Sequence, residues 1–188
     1  MLGLIHRTLL SLIESAAGGE AVAEVKRRAG VPEDRAFRMG ESYNDDAWQR
    51  LLASTCALLN ISPAQAEEVF ADFFGQDALQ RWPTWFAMSK NARQFLERQP
   101  AIHNSFATGV HDSAARAAIA DKFKLEKRDR ELVMHYRSPN RLCGLYMAMA
   151  RWIIKHYGDH AVVDETRCLK NGDPECELHI LWHEPGSD

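Results

Sequence analysis

Long apolar runs are absent from this chain of 188 residues, and none approaches the ~18 residues that a membrane-spanning helix requires. The first residues place no basic region ahead of an apolar stretch. We therefore expect neither a secretory signal nor a membrane anchor, and a cytoplasmic location follows as the default. An excess of basic residues is also missing, since the formal net charge is −3. The charge of the whole chain thus gives no argument for a nucleic-acid partner.

Cysteine is scarce, and the 4 cysteines include no Cys-x-x-Cys pair. In a protein expected in the cytoplasm, such residues are typically reduced, metal-bound or redox-sensing rather than joined in structural disulfides. Internal repeats, low-complexity tracts and linkers are missing as well. A composition of 46% hydrophobic and 26% charged residues is typical of a globular chain, and we expect residues 1–188 to form a single domain.

The first half of the chain is predicted to be helical, because its apolar residues recur at helical spacing. Gly18 and Gly19 separate the first two helices, and Ser62-Pro63-Ala64-Gln65 is a capping box with proline at the first helical position. Pro100 is expected to kink the last helix just before His103. The predicted helices cover residues 2–17, 20–29, 47–59, 63–82 and 91–106.

The second half predicts an antiparallel sheet around one helix, after a polar loop over residues 107–116. Alternation of apolar and charged residues indicates the strands, and Asn171-Gly172-Asp173-Pro174 is typical of a hairpin loop. Strands are expected over 118–126, 132–138, 161–169 and 177–182, the helix over 142–157, and a frayed tail over 184–188. The fold class is therefore α+β, with a helical N-terminal subdomain (about 1–65) packed on a subdomain of helices and an antiparallel sheet (about 66–183).

The segment from Met134 to Cys143 concentrates polar side chains at the junction of a strand and a helix. Alternation along the strand places Tyr136, Ser138 and Asn140 on one face, where they suit a ligand rich in hydrogen-bond acceptors. The same residues are compatible with a tyrosine buried in the core and a following turn, because Ser-Pro-Asn is turn chemistry. Taken alone, the residues favour the turn.

Several features occur in a fixed order along the chain. These are the opening Met1-Leu2-Gly3-Leu4-Ile5, a helix bearing His103, Tyr136-Arg137-Ser138-Pro139 ahead of a helix, and Cys168, Gly172-Asp173 and Cys176 near the end. Their order and spacing resemble the heme nitric oxide/oxygen-binding (H-NOX) family, the sensor module of soluble guanylate cyclase and its bacterial relatives. The resemblance runs from Met1 to about Trp182.

This resemblance implies a heme b buried between the helical and sheet subdomains, with its iron held by the imidazole of His103. Imidazole is a standard axial ligand of sensing hemes and leaves one coordination position open for a gas. By itself, a single histidine on an apolar helix is more typical of a packed core residue.

In the family that this chain resembles, a Tyr-x-Ser-x-Arg set binds the heme propionates through two hydroxyls and a guanidinium. Tyr136 and Ser138 match that set, whereas the third position holds Asn140, whose amide donates hydrogen bonds without a charge. Arg141 comes one residue later. Strict alternation directs it to the other face, so it replaces the family arginine only if the backbone turns there.

The residues that the resemblance places on the gas-binding side of the heme are apolar: Ile5, Leu9, Phe74, Ala78 and Leu145. Leu145 stands where oxygen-binding members carry a tyrosine, and Tyr146 is turned about 100° away around the helix. An apolar pocket favours nitric oxide, or carbon monoxide, over oxygen, because bound oxygen carries partial negative charge and requires a donor. The same residues are equally typical of an ordinary core.

Some bacterial members of the family hold a structural zinc through three cysteines and a histidine. Cys143, Cys168 and Cys176 match the cysteines, and Glu165 occupies the position of the histidine. A carboxylate also ligates zinc, and His160 or His179 is the alternative fourth ligand. Without a metal, the thiols would form a reduced cluster or a redox pair.

The function implied by the resemblance is that of a sensor without catalytic machinery. Nitric oxide would bind ferrous heme, weaken the bond to His103 and free its helix to shift. A separate protein would read that shift, such as a histidine kinase or a cyclic-di-GMP enzyme. The alternative is a heme-free zinc or thiol redox sensor on the same fold, for which Asn140 is the main argument. An enzyme using Cys143 or His135 ranks behind both, because nothing in the sequence positions a partner for either residue.

Overall fold

A computed structural model describes residues 1–182 of the chain. Within them the elements are α1 (Gly3–Arg28), α2 (Asp45–Leu59), α3 (Pro63–Arg81), α4 (Pro83–Ala87), α5 (Ala92–Ser105), α6 (Ser113–Ala120), β1 (Phe123–Lys127), β2 (Glu131–Tyr136), α7 (Cys143–Tyr157), β3 (Ala161–Arg167), a 3₁₀ turn (Leu169–Asn171) and β4 (Cys176–Trp182). No helix in this part of the chain is both long and apolar enough to cross a membrane.

The helix boundaries in the first half follow from local chemistry. Gly18 has a φ of 82° and interrupts α1, so that two helical segments meet at a kink there. The Asn44 side chain accepts a hydrogen bond from the Asp46 amide and caps α2. The capping box at Ser62 is present, with Ser62 and Gln65 bonded reciprocally at the start of α3. The predicted break at Gly18 and the predicted capping box are confirmed.

The sheet is antiparallel, with the strand order β1-β2-β4-β3. Tyr136, at the end of β2, lies between Phe123 of β1 and Cys176 of β4 in the register. The predicted topology is therefore confirmed, and the register brings the end of β2 close to the start of α7.

Of the three hydrophobic clusters in the described residues, two are large and form most of the core. One joins α1, α2, α3 and part of α7, with Leu9, Ile13 and Trp48 at its centre. The other joins α5 and α7 to the sheet, where Leu132 and Ile180 are wholly buried. Helices α3 and α7 pack together between the two clusters.

Two predicted segments differ from the structure. Residues 113–120 form α6, where a loop and the start of a strand were expected. The Ala-rich sequence has high helix propensity, and Asp112 caps the helix by accepting from the Ala115 amide. The short helix α4 was not expected, and α5 continues through Pro100 as a single helix. The expected frayed tail lies outside the described residues.

Candidate functional site

A cavity of about 200 Å³ lies between the two hydrophobic clusters, walled by α1, α3, α5, α7 and the β1–β2 edge of the sheet. Its lining is almost entirely aliphatic and aromatic. A small number of polar side chains face it: Gln99, His103, Lys122, Tyr136, Asn140 and Tyr146. An apolar cavity with a few converging polar groups is the usual form of a cofactor or ligand site.

His103 lies on the cavity wall, near the end of α5. Burial lowers the pKa of its imidazole to about 4, so the ring is neutral at pH 7. Nδ1 lies 3.3 Å from Oδ1 of Asn104, and the ring meets Phe123 edge-on at 4.8 Å. When Nδ1 donates to Asn104, Nε2 keeps a free lone pair. A neutral, oriented imidazole of this kind is suited to binding a metal.

Tyr136 lines the cavity, and its hydroxyl accepts a hydrogen bond from the backbone N–H of Leu142 at 3.2 Å. Burial raises the pKa of Tyr136 to about 12, so the phenol keeps its proton and can donate it. Asn140 also lines the cavity, and its backbone N–H donates to Oγ of Ser138 at 3.3 Å. Ser138 is buried behind them and is not itself part of the lining.

Arg141 does not reach the cavity. The backbone does turn after Asn140, because Arg141 has a φ of 52° in the left-handed region. This turn leaves the arginine side chain exposed and outside the lining. Its expected role beside the propionates stays a prediction, and the position of its side chain does not support it.

The expected apolar side of the cavity is formed by Ile5, Phe74, Ala78 and Leu145, all of which line it. Leu9 instead lies deeper, in the helical cluster, and does not reach the cavity. These residues come from α1, α3 and α7, whereas His103 comes from α5.

Three polar lining residues, Gln99, Tyr146 and Lys122, were not predicted as site residues. Tyr146 is buried, its hydroxyl has no hydrogen-bond partner among the described residues, and burial raises its pKa. Its ring lies 5.6 Å from that of Phe123, which contacts His103, so Tyr146 belongs to the His103 wall. Lys122 is another of the three, and its place in a charged alternating run is typical of a solvent-exposed strand face.

A second cluster, made of potential metal ligands, lies apart from the cavity lining. It is found where the start of α7 meets the end of β3 and the start of β4. Ligand atoms of Cys143, Glu165, Cys168 and Cys176 all lie within 4.8 Å of one another. The Sγ atoms of Cys143 and Cys168 are 3.6 Å apart, and one carboxylate oxygen of Glu165 is buried without a partner. Burial raises the pKa of Cys176 to about 11 and also raises that of Cys143, so these two free thiols are protonated at neutral pH.

The alternative fourth ligands do not join this cluster. His179 is placed between two carboxylates, with Nδ1 2.6 Å from Glu131 and Nε2 2.9 Å from Glu177. His160 is exposed. The structure therefore brings Glu165 to the three cysteines and leaves both histidines away from them.

Comparison with known proteins points to the same family that the sequence resembles. A family model described as Haem-NO-binding matches residues 2–165. The soluble guanylate cyclase gcy-37 of Caenorhabditis elegans is 28% identical over 105 residues, which are 55% of this chain and 15% of that protein. The chain thus spans a small share of the length of this curated relative.

Solved H-NOX structures share the fold. An H-NOX protein from S. oneidensis in the Fe(II)NO ligation state aligns with a TM-score of 0.80 and 16% identity, over 98% of this chain and 100% of that one. An unliganded Fe(II) H-NOX protein from K. algicida aligns with a TM-score of 0.76 and 19% identity, over 100% of both chains. The predicted α+β class and the predicted family resemblance are confirmed.

Proposed function

The chain belongs to the Haem-NO-binding (H-NOX) family, and on that premise we propose that it senses nitric oxide through a heme b whose iron is held by His103. Domains of this family are heme-based sensors of nitric oxide or oxygen and are regulatory rather than catalytic. The finer assignment depends on this chain's own residues, of which His103 is the most informative.

The observation that carries the proposal is a neutral imidazole on the wall of an apolar cavity. His103 is kept unprotonated by burial, and Asn104 contacts the nitrogen that would not bind the iron. Tyr136 and Asn140 add hydrogen-bond donors on the same cavity, where they fit the propionates. The residues present therefore suit a heme, and the heme-free redox alternative is not favoured.

When bound, the heme supplies an open coordination position for a diatomic gas and an iron–imidazole bond that nitric oxide weakens. The wall formed by Ile5, Phe74, Ala78 and Leu145 offers no hydrogen-bond donor from a side chain. Tyr146, which does have a donor, lies on the His103 wall. This arrangement supports nitric oxide, with carbon monoxide as a second ligand, over oxygen.

Signal output would depend on how α5 is held. Apart from His103, the helix is fixed by Arg98, which donates to the Trp85 carbonyl and to Oγ of Ser89. Arg93 fixes the other side by donating to the carbonyls of Arg128 and Asp129. Loss of the bond between His103 and the iron would leave the C-terminal end of α5 with fewer restraints than the N-terminal end of this helix. A separate signalling protein, such as a histidine kinase or a cyclic-di-GMP enzyme, would read the resulting shift.

The experiment that tests the ligand assignment is replacement of His103 by Gly. We expect His103→Gly to lose hemin binding, and added imidazole to restore a heme absorption spectrum because it fills the vacated position. The matched control is His111→Gly, since His111 is exposed and outside the cavity. Unchanged spectra in His103→Gly would assign the ligand to another residue.

We propose a zinc site at Cys143, Glu165, Cys168 and Cys176, supported by the mutual distances of their ligand atoms. Three thiolates and a carboxylate form an acceptable tetrahedral zinc shell. Protein purified with zinc supplied should contain one equivalent by mass spectrometry of the metal, and Cys168→Ser should lose it. Cys56→Ser, which changes a thiol on α2, should keep the metal. Wild-type protein without zinc would contradict this site.

A further inference from the structure

Lys122 is a cation in the lining of an otherwise apolar cavity. It precedes β1 directly, and its carbonyl accepts a hydrogen bond from the Arg137 amide at 2.9 Å. That bond ties Lys122 to the segment that follows β2. The lysine therefore lies beside Tyr136 and Asn140, at one edge of the cavity, and its half-buried side chain extends along the lining.

The ammonium of Lys122 has a neutral partner. With the Asn140 amide oriented to satisfy both of its ends, the amide nitrogen donates to Asp45 at 2.6 Å, and the amide oxygen accepts from Nζ of Lys122 at 3.2 Å. The Asn140 amide thus stands between the Lys122 ammonium and the Asp45 carboxylate, which acts on the lysine only through space. Burial accordingly lowers the pKa of this lysine, although the charge of Asp45 opposes the shift.

A buried ammonium without an anion is unfavourable, and a carboxylate delivered by a ligand would relieve that cost. The heme assigned to this cavity brings such carboxylates. Asn140 occupies the third position of the polar set, where the resemblance leads us to expect an arginine, and Arg141 points away from the cavity. The positive charge that this polar set lacks is carried instead by Lys122, beside the neighbouring strand.

We propose that Lys122 binds a propionate carboxylate of the heme and replaces the cation that Asn140 lacks. Asn140 then acts as a positioning residue, because its amide bridges Asp45 to Nζ of Lys122. The inference rests on the proposed heme function and adds to it a propionate-binding residue next to β1. An ammonium–carboxylate hydrogen bond in a partly buried site is charge-assisted and therefore strong.

The test measures affinities of the full-length apoprotein for heme and for heme dimethyl ester, in which both carboxylates are blocked. Lys122→Met should weaken heme binding by about 10-fold to 100-fold, as expected for a hydrogen bond between charged groups. It should leave ester binding within about 2-fold of wild type. Lys122→Arg should retain most of the affinity for heme. The matched control is Lys124→Met, since Lys124 is exposed on β1.

Each outcome has a distinct meaning. Equal weakening of heme and ester by Lys122→Met would assign Lys122 a structural role and overturn the proposal, as would no weakening of either. Wild-type protein that binds neither compound would overturn the heme function itself. Thermal unfolding of the apoproteins checks folding, because removal of an unpaired buried ammonium should not lower the melting temperature. Lys122→Gln, which also removes the charge, provides the same comparison if Lys122→Met unfolds.

Discussion

At residue 145, the proposed function assigns the choice of gas to a single side chain. Leu145 lines the cavity together with Ile5, Phe74 and Ala78, and none of these four side chains has a hydrogen-bond donor. The hydroxyl of the neighbouring Tyr146 has no hydrogen-bond partner within residues 1–182, yet the Tyr146 ring packs with Phe123 on the His103 wall. The contrast between these adjacent residues allows the proposed gas preference to be tested with one substitution and one control.

We predict that Leu145→Tyr gives the ferrous, heme-loaded protein a stable oxygen complex, because the new hydroxyl can donate to bound oxygen. Oxygen titration followed by absorption spectroscopy measures the change, and we expect a gain in affinity of about 10-fold or more, the effect of one hydrogen bond. Tyr146→Phe should leave oxygen affinity unchanged. If oxygen binding fell in Tyr146→Phe and did not rise in Leu145→Tyr, the assignment of the two walls would be wrong.

The polar set after β2 shows how far residue-level prediction reaches. Both Tyr136 and Asn140 line the cavity, but β2 ends at Tyr136 and Asn140 lies in the turn that follows, so the second residue is not accounted for by strand alternation. Alternation also cannot predict that Ser138 is covered by the turn, nor that Arg141 takes a positive φ and stays exposed. Lys122 was missed because its role depends on the pairing of β1 with β2, a long-range contact.

At the scale of the elements, the close contact between α3 and α7 is possible because a glycine lies at the contact. A Cβ placed on Gly75 would lie 2.4 Å from ring carbons of Trp152, far inside normal contact. The Trp152 ring cannot move freely, because its Nε1 donates to Asp72 at 3.2 Å. Both Gly75 and Trp152 line the cavity, so this contact also helps to set its width.

We therefore predict that Gly75→Ala lowers the free energy of unfolding by about 1–3 kcal/mol, the usual effect of overpacking, even though alanine favours helix. Urea denaturation of the apoprotein measures it. Gly19→Ala is the control, because no atom lies within 4 Å of the added methyl group, and it should be neutral or slightly stabilising. Equal stability of the two variants would show that α3 and α7 separate without cost.

Most elements can be predicted from sequence because caps and periodicity are local. The capping box of α3, the break at Gly18 and the apolar stripe of α7 are each encoded within a few residues. The segment 113–120 was predicted wrongly because its alternating apolar residues extend the pattern of β1 backwards, whereas Asp112 and the alanines favour a helix. Strand alternation and helix propensity conflicted there, and the helix formed.

At the scale of the whole molecule, the two large hydrophobic clusters lie on either side of the apolar cavity, and we expect the stability of the helical cluster to depend on pH. His6 is wholly buried, with its ring stacked on Phe37 at 4.4 Å. Burial lowers the pKa of His6 to about 4, below the 6.5 of the unfolded chain. The unfolded chain therefore binds more protons between these values, and the stabilisation present above pH 6.5 is lost as the pH falls towards 4.

We predict that the free energy of unfolding of the apoprotein falls by about 3 kcal/mol from His6 alone across this range. Urea denaturation at several pH values measures the slope, which should be smaller in His6→Gln because the buried imidazole is gone. His160→Gln, at an exposed histidine, should keep the wild-type slope. A slope that is the same in all three proteins would show that His6 is not protonated on unfolding.

The central claim is that the cavity between the clusters takes up one heme through His103. Optical titration of the wild-type apoprotein with hemin tests it most directly. We predict saturation at one equivalent, with the intense absorption band of a protein-bound heme and a further spectral change when nitric oxide is added after reduction. Hemin that stays in its free form throughout the titration, or a reduced complex whose spectrum ignores nitric oxide, would contradict the account.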